Sequence, residues 1–486
     1  MRKSSYRELV AQNRKLRQQL AAARDENSAL RSENADLRQE NAALRKQVAK
    51  LQTALETAER QAKRQSAPFS KGSPKAEPKK PGRKPGRRYG QNGRRPPPPP
   101  DKIDECYDVP LPECCPNCSS HDVEETHVAV QYQTEIPRRP IYRQFNIHFG
   151  RCKKCGKAVH GRHDLQTSDV VGAAASQLGP AAHAAMAMLN KELGLSHGKV
   201  KRCFEILFGI PVARATSAHS VKRTARRCEP PYQEIRAAIR ASPWVVPDET
   251  GWRVGGRKAW LHVHVGETAT HYEIAPGRGS DVIERLLGRD WSGVLIHDGW
   301  RPYDVFTNAR HQQCLNHPQR RCFNILETAV GGAVRFPRQV LELSQTAFAI
   351  RDDYQRGHLN EDQMAIKGLA PACALERLVQ GRFTYEPNRR LAKHLANYIW
   401  NWFWFLFEPG IDATNWRAEQ AIRPGVVNRK VWGGNRTWDS GAKSQSVIMS
   451  VLRTITQRGY DPFRCLMRIL CSPLPLPLVS LIGAER

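Results

Sequence analysis

Long apolar runs are missing from this 486-residue chain. The longest strongly apolar stretch, Tyr398 to Phe407, is broken by Asn401 and is too short to cross a bilayer as a helix. Nor does the start look like a secretory signal, because Met1 to Glu8 is charged and polar. Acidic residues are scarce beside basic ones, 47 Asp and Glu against 76 Lys and Arg, which leaves a formal charge of +29. That excess favours a polyanionic partner such as nucleic acid, with counterion release driving association, although ribosomal and membrane-surface proteins share it. With no signal, the 13 cysteines, partly in CxxC pairs, read as metal ligands and free thiols of a reducing cytoplasm.

The length exceeds one compact domain and predicts three or four units. Residues 1–60 predict a coiled coil. Leu9, Leu16, Leu30, Leu37, Leu44 and Leu51 share one heptad position with Ala23. Asn13, Leu20, Asn27, Asn34, Asn41, Val48 and Leu55 hold the companion position. The repeated Asn favours a parallel, in-register homodimer, with a higher oligomer as the alternative. Residues 61–104 form a basic linker; between 61 and 100 it carries twelve Lys or Arg, one Glu and ten Pro. Such a segment buries no core. Lys79, Lys80, Arg83, Lys84 and Arg87 within it resemble an arm that lies in a minor groove, or else belong to a soluble spacer.

Two CxxC pairs, 33 residues apart, predict a zinc ribbon over 105–163. Cys115, Cys118, Cys152 and Cys155 are the expected ligands of one structural Zn2+, with Cys114 a rival to Cys115 and Cys106 an outsider. From 164 to 240 the pattern turns helical, with a break at Gly209 and a new helix after Pro211. This reads either as a helix-turn-helix with Arg214, Thr216 and Ser217 near the start of its recognition helix, or as a small basic bundle.

From Trp244 the rhythm becomes that of strands. WVVPDETGW ends on Asp248, two alternating strands and a helix follow, and SGVLIHDGW ends on Asp298. This order is the layout of an RNase H-like core, in which the first and fourth strands are neighbours and their aspartates face each other. Two such carboxylates are half of a site for Mg2+ or Mn2+. Glu419 in NWRAEQAIRP completes it, because Asn415, Glu419 and Arg423 share one helical face, with Pro424 expected to close the helix. Two ions per site activate the attacking oxygen and stabilise the leaving one. The first part of the core is expected over 241–330, inserted helices over 331–408, the second part over 409–470, and a tail over 471–486. In the insertion, Leu395, Tyr398, Ile399, Trp402, Phe403 and Leu406 fall on one stripe, of a buried packing helix or of an aromatic surface. After Glu419, the loop with Arg429, Lys430, Gly433, Gly434, Asn435 and Arg436 suits close approach to DNA phosphate, or is a surface turn.

VVPDETGW, LIHDGWRPY, QCLNHPQRR and the long run from NWRAEQAIRP to TITQRGYDPF resemble the transposases of the insertion sequence 66 family, in order along nearly the whole chain. The resemblance implies Asp248, Asp298 and Glu419 as the metal-binding triad of a DDE transposase, and marks Cys314 and His317 as a CxxH pair. It implies double-stranded DNA as partner, both the terminal inverted repeats and the target, with accessory proteins of the same element as further partners. Two departures stand out: Thr414-Asn415 where two Asn are usual, and Gln420 where Arg is usual. A DNA-binding protein without catalysis, and another nuclease on the same fold, are the competing readings.

Overall fold

The computed structural model describes residues 3–65, 97–113, 116–122, 124–126, 128–134, 140–166, 170–171, 177–472 and 474–478. They fall into two units, Met1–Thr134 and Glu135–Arg486. Among the described residues, no helix is long and apolar enough to cross a membrane.

The first unit is led by helix α1, Lys3–Gln65. Its 63 residues contain no Gly or Pro and are rich in Ala, Leu, Glu, Gln and Arg, the best helix formers. Leu16, Leu30, Leu37, Leu44 and Leu51 are 50–64% exposed, so this chain alone leaves the seam uncovered. Cys118 lies on an exposed turn of this unit, and Cys115 lies outside the described residues.

The second unit opens with a short antiparallel hairpin, β1 (Phe149–Arg151) and β2 (Ala158–His160). Helices α2 (Pro180–Lys191), α3 (His197–Phe208), α4 (Arg214–Arg227) and α5 (Glu229–Arg240) follow. Then come strands β3 (Trp244–Val254), β4 (Arg257–Gly266) and β5 (Thr270–Ala275), helix α6 (Asp281–Leu287), and strands β6 (Val294–His297) and β7 (Arg310–Gln313). The sheet order is β5-β4-β3-β6-β7, with β3 parallel to β6 and β6 parallel to β7. The first and fourth strands are thus neighbours, as expected, in a mixed α/β architecture compatible with the expected DDE core.

Alternation along the strands splits the core into two layers. Val246, Val263 and Ile296 face helices α7 (Asn316–Leu326), α8 (Arg335–Gln355), α9 (Glu361–Val379), α10 (Glu386–Asn397) and α11 (Trp416–Trp432). Val245 and Leu295 face α2, α4, α5, α6, α12 (Lys443–Gln457) and α13 (Pro462–Cys471). The boundary expected at residue 240 is therefore not a break in packing. Val221, Tyr232 and Ile235 share one apolar layer with the sheet and with Val447 and Leu466.

Helix α12 also closes the β5 edge. The backbone N–H groups of Thr270, Tyr272 and Ile274 donate to the hydroxyls of Thr454, Ser450 and Ser446 at 3.0, 2.8 and 3.1 Å. The periods match: four helical residues advance about 6 Å and two strand residues about 6.6 Å. An edge so occupied cannot recruit another strand.

Two expectations fail here. The stripe from Leu395 to Leu406 is not one helix, since α10 ends at Asn397 and two 3-10 turns follow. Leu395, Trp402, Phe403 and Leu406 are buried nonetheless, with Tyr398 and Ile399 half-buried, and Gln312 of β7 binds the Trp402 carbonyl and the Phe405 N–H at 3.0 and 2.9 Å, holding the chain off helical geometry. Pro424 does not close its helix either. It sits inside α11, which runs on to Trp432 and loses only the bond that Pro424 cannot donate to Gln420.

Candidate active site

Three acids arrive on three elements. Asp248 lies within β3, Asp298 follows β6 by one residue, and Glu419 lies in the first turn of α11. The pairs Trp244↔Val294 and Val245↔Leu295 set β3 beside β6 in parallel, so the two aspartates lie on adjoining strands, Asp248 inside β3 rather than at the strand end expected for it. Asp248 pairs with Val263, whose side chain faces the α11 layer, so its carboxyl points toward the helix that carries Glu419. Burial first, then the charge of Glu249, then those of Asp298 and Glu419, push the Asp248 carboxyl up to about 7. The N–H of Glu249, which donates to Asp248 Oδ1 at 2.8 Å, opposes that shift.

Among the described residues, no three His, Cys, Asp or Glu side chains form a ready-made metal cage. The donor set still fits a hard divalent cation, since these carboxylates repel one another and a cation relieves the repulsion.

Each aspartate is braced by a residue that follows it. Asp298 Oδ1 accepts the N–H of Trp300 at 3.0 Å, as Asp248 accepts that of Glu249. Arg278 joins the two braces. Its guanidinium donates to Glu249 Oε1 at 2.6 Å and lies 3.9 Å from the Trp300 ring centre and 5.0 Å from that of Trp260. Tyr303 Oη donates to the other oxygen of Glu249 at 2.6 Å. Gly299, between Asp298 and Trp300, has φ +83°, and a Cβ there would stand 2.8 Å from Gln313 Oε1. Only glycine fits that turn.

Beside the acids lie polar atoms that are buried without partners: both amide atoms of Gln313, His317 Nδ1 and Asn415 Oδ1. Cys314 sits among them. Burial pushes its thiol up to about 11, against the backbone N–H groups of Asn415, Asn316 and His317 that point at the sulfur. Cys314 thereby ties the end of β7 to the start of the helix bearing Glu419. Sequence reasoning missed Glu249, Arg278, Trp300, Tyr303 and Gln313. The signal available was an acid directly after Asp248 on a buried strand, which points to the opposite face and needs its own cation.

The remaining expected site residues are dispersed. Lys79, Lys80, Arg83, Lys84 and Arg87 lie outside the described residues. Arg214 is exposed and Thr216 half-buried, but Ser217 is buried and bonded to His197 Nδ1 at 2.9 Å, so it is turned away from any DNA on that helix. Arg423, Lys430 and Arg436 are exposed, while Arg429 is half-buried and donates to the Gly251 carbonyl; Arg429 and Lys430 lie in the last turn of α11 rather than in the expected loop, which starts only at Gly433. Gly434 has a different reason from phosphate approach: a Cβ there would meet the Arg253 carbonyl at 2.3 Å. Cys152 and Cys155 form a tight knuckle, with Gly156 at φ +72° and its N–H on the Cys152 carbonyl at 2.8 Å. Backbone N–H groups of Cys155 and Lys154 hold the Cys152 thiol below its usual range.

A comparison with curated proteins gives no match. The family model described as Transposase IS66 family matches residues 175–444, a span that contains Asp248, Asp298 and Glu419. The chain therefore belongs to the IS66 family of transposases.

Proposed function

We propose that this transposase cuts DNA at the terminal inverted repeats of its element and joins the freed 3′-hydroxyl to target DNA. The observation that carries the reading is the meeting of Asp248, Asp298 and Glu419 from three separate elements, close enough for their charges to act on one another. These carboxylates would hold two Mg2+ or Mn2+ ions, which supply activation of the attacking oxygen and neutralisation of the leaving one. The protein's part is placement. Glu249 and Trp300 fix the two aspartates through backbone N–H groups, and Cys314 holds the start of the Glu419 helix. DNA is held by Arg214 and Thr216 on α4, by the basic arm at 79–87, by Arg423 and Lys430 on the catalytic helix α11, and by Arg436 just beyond it. The protein works in the cytoplasm on nucleoid DNA, with accessory proteins of the element as further partners.

Two assembly features belong to the same reading. The exposed leucine seam of α1 pairs with a second copy of the chain as a parallel coiled coil. One structural Zn2+ is held by thiolates, of which Cys152 and Cys155 are supported by their knuckle; Cys115 and Cys118 come from sequence spacing alone.

Strand joining tests the function. Purified protein with Mg2+ and a duplex bearing the element's end should give both a nick and a joined product. Asp248→Asn, Asp298→Asn and Glu419→Gln should each abolish both and leave DNA binding within about twofold, because each removes a ligand charge and no basic surface. Cleavage without joining would make the protein a nuclease, and binding with neither would make it a DNA-binding protein.

A further inference from the structure

Two stretches far apart in sequence form one surface at the tip of the β3–β4 hairpin. Asn435 pairs with Val254 as a parallel bridge. Its N–H donates to the Arg253 carbonyl at 2.9 Å, and its carbonyl accepts the Gly255 N–H at 2.8 Å. Trp252 Nε1 donates to the Asn435 side chain at 2.8 Å, so the loop is anchored on the hairpin by three bonds. Residues 250–260 and 429–440 together carry six Lys or Arg and one acid, Asp439.

Arg253, Arg257, Lys258 and Arg436 are exposed and make no ion pair among the described residues. Arg253 stands directly opposite Lys258 in the antiparallel register. Like charges in that position destabilise a hairpin, and a polyanion relieves them. Arg253 bonds the Gly256 carbonyl at 3.2 Å and Lys258 lies 5.4 Å from the Trp260 ring centre, so both are partly ordered in advance.

We propose that Arg253, Arg257, Lys258 and Arg436 form a platform for the phosphate backbone of duplex DNA, separate from the carboxylate site. Its distance from that site follows from the strand. Alternation puts Arg253 and Lys258 on the Glu249 face, while Arg257, opposite Val254, shares the face of Asp248. Six residues of β3 separate Asp248 from Val254, roughly 20 Å at about 3.3 Å per residue. Duplex DNA rises about 3.4 Å per base pair, so Arg257 meets phosphates about six base pairs from the bond held at Asp248. That position rests on the function proposed above; the platform itself does not.

The test is salt-dependent binding of the full chain to a 20-base-pair duplex of arbitrary sequence, followed by fluorescence anisotropy. Arg253→Gln, Arg257→Gln, Lys258→Gln and Arg436→Gln combined should flatten the slope of log K against log salt by about 3.6, since each lost phosphate contact removes about 0.9. A control with four exposed basic residues of the insertion changed to Gln (Arg335, Arg338, Lys367 and Arg382) should keep the wild-type slope. Equal slopes for platform and control variants would overturn the proposal. If the fourfold variant melts early, Arg257→Gln with Lys258→Gln at the hairpin tip decides the same question, with an expected change of about 1.8. Methylphosphonates placed about six base pairs to either side of the cleaved bond then locate the contact. Weaker binding from one side only assigns the platform to the element end or to the flanking and target DNA, and no effect from either side removes the position while leaving the slope result standing.

Discussion

Arg278 donates to Glu249 at 2.6 Å, and through that contact one guanidinium reaches the braces of both Asp248 and Asp298. Glu249 is 4% exposed, so without Arg278 it would be a buried, unpaired charge beside Asp248. Arg278→Met should therefore lower the melting temperature and weaken Mn2+ binding about 10- to 100-fold, the usual cost of losing a partner one layer behind a metal ligand. Glu249→Gln in the same chain should recover the melting temperature but not the affinity. Isothermal titration with Mn2+ beside thermal melts separates the two effects. A double variant that binds Mn2+ like the wild type would leave the pair a structural one only.

The knuckle at Cys152 makes a second prediction. Backbone N–H groups already favour its thiolate, the form that binds zinc. Freshly purified, reduced protein should hold about one equivalent of zinc per chain. Cys152→Ser should lose it and bind DNA more weakly while keeping Mg2+-dependent chemistry at Asp248. Metal analysis that finds no zinc in the wild type would remove the site.

Much of the candidate site was legible because its residues fall in local patterns. Asp298 closes a hydrophobic strand; Asp248 was expected to close another but sits inside β3, which runs on to Val254 because it pairs with β4 along nearly its whole length. Strand order follows from alternation and length, so the adjacency of the two could still be read from residues. Glu419 needed only helical spacing from Asn415. What stayed hidden depends on contacts between distant segments. Arg278 lies in a Gly-rich connection whose sequence carries no period. Ser217 reads as an exposed polar residue until α3 supplies His197. The run from Leu395 to Leu406 has helical spacing, but Gln312, 90 positions before Trp402, competes for its backbone. Pro424 reads as a stop, yet burial of Ala418, Ala421 and Ile422 against the sheet outweighs one missing bond.

Lys191 gives a pH-dependent prediction. It is fully buried where α2 meets α11 and α12, bonded to Gln445 Oε1 at 2.8 Å, and burial lowers its ammonium to about 7. The unfolded chain holds that proton up to a pH of about 10.4 and the folded chain releases it near 7, so unfolding takes up a proton between these values. Stability then rises with pH across that window and is flat below it. Lys191→Met should remove this rise between pH 7 and 9, and its melting temperature at pH 7 should match or exceed the wild type. Denaturant melts at the two pH values check it, and an unchanged rise in the variant would show that Lys191 is not its source.

The last prediction concerns the first helix. On α1 the seam leucines Leu16, Leu30, Leu37, Leu44 and Leu51 stay at least half exposed, an apolar stripe that water disfavours and a second helix would cover. Transposition brings two element ends together, and a parallel pair of α1 helices would join two chains along their first 60 residues. Asn27, Asn34 and Asn41 pair across such a seam, which lowers stability and enforces register. Deleting residues 1–60 should therefore leave a chain that binds single ends but pairs them poorly. Changing the three Asn together to Leu should strengthen association and admit higher oligomers, because nothing polar then penalises other registers. Sedimentation at micromolar concentration decides the matter. A full-length chain that stays monomeric, or a truncated one that pairs ends as well as the intact protein, would sink the idea.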